Sequence, residues 1–61
     1  MTSPNQICTD YAAAFRAAKG SEASAEFDGK RFAITNGRGT TAGYSERDML
    51  NLIRALKTMA A

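Results

Sequence analysis

The residues that come nearest to a chemical signature lie in "ITNGRGTTAGYSERDML", residues 34–50, where a strand-like end, three glycines and a helix start follow one another. In that layout backbone N–H groups converge on a phosphate at a helix N-terminus. The spacing argues against it here. Gly37, Gly39 and Gly43 read G-x-G-x-x-x-G, which misses the dinucleotide fingerprint, and no Gly-Lys-Ser or Gly-Lys-Thr follows. Glu46 and Asp48 also place carboxylates at the start of the following helix, where they compete with an anion for the positive end of the dipole.

Other chemistry has little material. The chain has no histidine, and Ser3, Ser21, Ser24 and Ser45 have no base beside them in a nucleophile pattern. One cysteine, Cys8, permits no intrachain disulfide, and without histidine the usual zinc ligand sets cannot form within one chain. Cys8 reads as a small buried hydrophobe. The expectation is a protein that is not an enzyme and that carries no cofactor and no metal.

What remains is contact with a partner. Residues 35–43 read either as a mobile soluble connection or as an arm in which Asn36, Gly37, Arg38 and Gly39 order on meeting a partner, with Arg38 as the contact. Lys30 and Arg31 form a basic hairpin edge that either meets a partner or is plainly solvated. These six are the candidate partner-binding residues.

Three elements position them. Over 3–19, Ser3 can cap a helix, Pro4 sits at the first helical position and Gln6 stands where a capping-box partner belongs. Ile7, Tyr11, Ala14, Phe15 and Ala18 then make one apolar stripe, and Lys19 followed by Gly20 is a helix stop. Over 23–35, Asp28-Gly29 marks a two-residue hairpin turn. That register sets Phe27 opposite Lys30, Glu26 opposite Arg31, Ala25 opposite Phe32 and Ala23 opposite Ile34, with Ala23, Ala25, Phe27, Phe32 and Ile34 on one face and a Glu26–Arg31 ion pair on the other. Over 45–60, Ser45 and Asp48 resemble a capping box, and Tyr44 with Met49 a hydrophobic staple. Met49, Leu52, Ile53, Leu56 and Met59 or Ala60 form the buried stripe, with Leu50 at its margin.

The expected fold is α+β, an αββα chain with both helices on one face of a two-stranded antiparallel hairpin and a flexible loop over 35–43. With 61 residues the chain suits one small domain, 1–61, whose thin core gains from association with other chains. No apolar run nears the roughly 20 residues a bilayer needs. "MTSPNQ" lacks the blocks of a secretion signal, so a cytoplasmic start and no membrane contact are expected. Eight basic against six acidic residues give a net charge of +2, and their interleaving permits nucleic-acid contact without demanding it.

The order of elements, with "EFDGKRFAIT" leading into "YSERDMLNLIRAL", resembles the small head-completion, gpW-like proteins of tailed bacteriophages. The pieces that carry the resemblance are Asp28-Gly29-Lys30-Arg31-Phe32 and the Ser45-capped helix through Leu56. The loop before the second helix is longer than in that family, and the family's tail-attachment segment after it has no counterpart. The resemblance implies a non-enzymatic structural part of a virion neck, present in the host cytoplasm before assembly. It would close the DNA-filled head at the portal and join it to tail components. Its implied partners are the portal or adaptor, other neck proteins and further copies in a homo-oligomeric ring, with basic residues facing packaged DNA non-specifically. The competing expectation is a small regulatory or inhibitory module, phage-encoded, that binds nucleic acid or a host protein.

Overall fold

Ser3 sets where the first helix begins: its hydroxyl accepts the Gln6 N–H at 3.2 Å and Pro4 follows as the first helical residue, in a computed structural model that describes residues 3–60. Met1 and Thr2, part of the N-terminal stretch read for a signal, lie outside the described residues. Only half of a capping box forms here, because the Gln6 carboxamide donates to Asp10 at 2.8 Å instead of returning to Ser3. Helix α1 spans Pro4–Lys19. It ends at Gly20, whose φ of 73° lets its N–H reach the Arg16 carbonyl at 2.9 Å.

Strands β1 (Ser24–Phe27) and β2 (Phe32–Asn36) pair antiparallel, but two residues out of the expected register. Phe27 faces Phe32 and Ala25 faces Ile34, so the connection is the four residues from Asp28 to Arg31 and not the Asp28-Gly29 pair alone. The cause is the Asp28 carboxylate, which accepts the N–H groups of Lys30 at 2.9 Å and Arg31 at 2.8 Å and so closes a wider loop. A slide of two preserves the pleat, and Ala25, Phe27, Phe32 and Ile34 keep one face. The expected Glu26–Arg31 pair is lost, since Glu26 now stands opposite Ala33.

The larger correction concerns residues 35–43. They are not a flexible loop: β3 (Gly39–Tyr44) follows a tight turn at Gly37 and Arg38 and pairs antiparallel with β2. The sheet is therefore three-stranded, ordered β1-β2-β3, and the chain runs αβββα instead of αββα while remaining α+β. Near its end β3 carries a bulge. Phe32 pairs with Tyr44 and Ala33 with Ala42, leaving Gly43 as the extra residue at a φ of 96°. The added residue turns Tyr44 to the Phe32 side of the sheet, where it packs against the core.

Ser45 then starts α2 (Glu46–Ala60) with a complete capping box, Asp48 N–H to the Ser45 hydroxyl and Ser45 N–H to the Asp48 carboxylate, each at 3.2 Å. The core joins Ile7, Tyr11 and Ala14 of α1, Phe32 and Ile34 of β2, and Met49, Ile53 and Leu56 of α2. Both helices thus cover one face of the sheet; α1 lies against α2 and β1, and α2 touches β3. The buried stripe of α2 is shorter than expected: Met59 is 57% exposed and Ala60 is exposed. No helix among the described residues is long and apolar enough to cross a membrane.

Candidate partner-binding site

Strand β2 carries a basic turn at each end. At one end the Asp28 carboxylate fixes the backbone of Lys30 and Arg31 while both side chains stay exposed. The N–H groups of Arg31 and then Lys30 hold that carboxyl below its usual range by stabilising the charged form. A shallow recess beside it is lined by Glu26, Asp28, Arg31 and the two rings of Phe27 and Phe32, whose centroids lie 4.7 Å apart. Glu26 and Asp28 share that lining with the arginine.

At the other end Asn36 does two jobs. Its carboxamide oxygen accepts the Arg38 N–H at 2.8 Å, and its side chain lies close enough to the Tyr11 phenol to affect that group's ionisation. Burial pushes the Tyr11 pKa up, the polar side chain of Asn36 pulls it back and Tyr44 nearby raises it again. Because β1 starts where α1 ends, and β2 runs back antiparallel, the Gly37-Arg38 turn arrives beside the C-terminus of α1.

A cleft of about 380 Å³ results, lined by Phe15, Lys19, Ser21, Asn36, Gly37 and Arg38. Of the six candidate residues it gathers Asn36, Gly37 and Arg38; Gly39 lies just outside the lining, and Lys30 and Arg31 are at the opposite end of β2, about 17 Å away at 3.3 Å per residue. Lys19, Phe15 and Ser21 are additions that the sequence reading missed. In the sequence Lys19 reads only as a helix stop; the antiparallel return of β2 is what brings Arg38 to it.

The cleft lining holds two cations and no carboxylate, imidazole or thiol, so it offers charge and hydrogen-bond donors but no proton-transfer pair. Lys19 lies in the last turn of α1, whose carbonyl end favours a cation there. No group of three or more potential metal ligands occurs among the described residues. Cys8 is half-buried, and burial first, then the Glu26 charge, pushes its thiol pKa up, which disfavours the reactive thiolate.

Compared with protein-family models, with curated proteins and with solved structures, the chain matches none.

Proposed function

We propose that this chain is a non-enzymatic structural protein of a phage virion neck, which closes the DNA-filled head at the portal and joins it to tail components. One observation carries the reading: the two exposed basic turns sit at opposite ends of the central strand β2. A rigid strand with a docking turn at each end suits a part that must touch two neighbours at once. The helix–hairpin–helix order supports the same reading, with β3 as an addition to the hairpin. In this role several copies surround the portal axis, and docking favours the folded form of a domain with a thin core.

The test is co-sedimentation with purified portal assemblies and then with tail components. Charge reversal at Lys30 and Arg31 should block one of the two junctions, and Arg38→Glu the other. Failure of the wild-type chain to join either component would contradict the proposal.

A second reading, a regulatory module binding nucleic acid, is favoured by the cleft that sets Lys19 and Arg38 together with no acid in its lining. On that reading DNA affinity is high at low salt and falls steeply as salt rises, and Arg38→Glu lowers the slope. Weak binding with no such slope argues for the neck.

A further inference from the structure

We propose that β3 is a self-docking edge, through which two copies pair antiparallel about a twofold axis to make one continuous six-stranded sheet. Strand β3 is an outer strand of the sheet, with β2 on one side of it. Its six residues span about 20 Å, and Gly39 through Gly43 are exposed. An outer strand presents unpaired N–H and C=O groups, and folded proteins usually blunt such an edge with charge, proline or a covering element.

The two edges of this sheet differ in that respect. Strand β1 carries Glu26 and has α1 packed against it, so a β1–β1 pair would bring like charges together. Strand β3 reads Gly-Thr-Thr-Ala-Gly-Tyr, with no charge and no proline. Its one protective device is the bulge at Gly43; Gly39 at the start of the strand has a φ of 121°, and the stretch from Thr40 to Ala42 between them is regular. A neutral strand meets itself without repulsion, which is why a second copy is the occupant proposed.

The register follows from keeping the helices of both copies on one side of the joint sheet. That demands a twofold axis perpendicular to the sheet, so one residue must face its own copy. Centring on Thr41 pairs Thr41 with Thr41 of the second copy and Thr40 with Ala42, and puts the bulge at the end of the ladder. Thr41 stands opposite Ile34 and so points to the helix side.

A second feature lies on the same side of the molecule. Tyr44, at the end of β3, and Leu52 of α2 line one open recess together with Asp48 and Asn51, and Leu52, Ala55 and Met59 share a flank of α2 by helical spacing. Ala55 is exposed and Met59 is 57% exposed. Pairing at β3 brings this flank toward the same flank of the second copy, covering apolar surface that the monomer leaves in water. The interface is small, so the dimer is concentration-dependent. This inference does not depend on the neck reading, and it is tested on the isolated chain.

The experiment is sedimentation velocity over a series from micromolar to millimolar protein. The wild-type chain should pass from monomer to dimer and stop there. Thr41→Lys sets like charges opposite each other and should raise the dissociation constant about tenfold, with the far-ultraviolet circular dichroism unchanged. Mixing a Thr41→Lys copy with a Thr41→Glu copy should restore dimerisation, which a merely unfolded variant would not do. Glu26→Lys on β1 should leave association as it was. A wild-type chain that stays monomeric, species larger than a dimer, or a folded Thr41→Lys variant that dimerises normally would each overturn the proposal.

Discussion

The two hairpins share β2 and are held by different means. From Asp28 to Arg31 a carboxylate takes two backbone N–H groups, and the strands beyond it face each other with Phe27 on Phe32 and Ala25 on Ile34. At Gly37 and Arg38 one carboxamide takes one N–H, and the strand beyond it brings threonine, alanine and glycine to the ladder, with Tyr44 as its one large side chain. The first hairpin is therefore fastened by side chains and the second by backbone pairing. Side-chain fastening leaves a pattern in the sequence, and backbone fastening does not.

The largest expected effect is at the strand both hairpins use. Phe32 is 2% exposed, and Phe32→Ala should cost about 3–5 kcal/mol, comparable to the whole stability of a domain this small. In urea titrations followed by circular dichroism the variant should be mostly unfolded before denaturant is added. A variant of near wild-type stability would mean that β2 is not the centre of the core.

Next comes the bulge. At its φ of 96°, Gly43→Ala forces a side chain into left-handed backbone at a cost of about 1–2 kcal/mol, even though open space surrounds the site. Gly37→Ala, in equally open space and without a positive φ, should change stability by less than about 0.5 kcal/mol. Equal thermal midpoints for the two variants would contradict the bulge.

A smaller effect separates the turns by pH. The Asp28 carboxyl has its pKa lowered in the fold, so the stabilisation it gives is present above the ordinary value of about 3.9 and is lost as pH falls through the folded value. Asp28→Asn should lower the thermal midpoint at neutral pH and converge with the wild type in acid. Asn36 does not titrate, so Asn36→Ala should open a gap that is constant across the same range. The smallest change is expected from Thr40→Ala, which removes a 3.1 Å hydroxyl contact with Thr35 on the exposed face and should shift stability by less than about 0.5 kcal/mol.

The same distinction explains what the sequence disclosed. Both helices were legible, because Ser3, Pro4, Gly20 and the reciprocal Ser45–Asp48 pair are local signals that act within a few residues. The face shared by Phe27, Phe32 and Ile34 was legible too, and it survives a two-residue slip that the Asp28 side chain causes. The third strand was not legible. Gly39 and Gly43 within it and Gly37 in the turn before it are loop residues by propensity, and the exposed Thr40, Thr41 and Ala42 give no alternation of burial to betray a strand. Of the candidate site, Arg38 and Asn36 were visible as polar residues among glycines. Lys19 was not, since only the antiparallel return of β2 brings a helix end to that turn.

The most direct test of the account is the nuclear Overhauser pattern across β2 and β3, measured with amide exchange in the isolated chain. Cross-strand contacts between Ile34 and Thr41, Thr35 and Thr40, and Phe32 and Tyr44, with slowed exchange at alternate residues of 39–44, are the predicted result. Absence of those contacts, with residues 39–44 exchanging as freely as an open chain, would return the segment to a mobile loop and remove the edge on which self-docking rests.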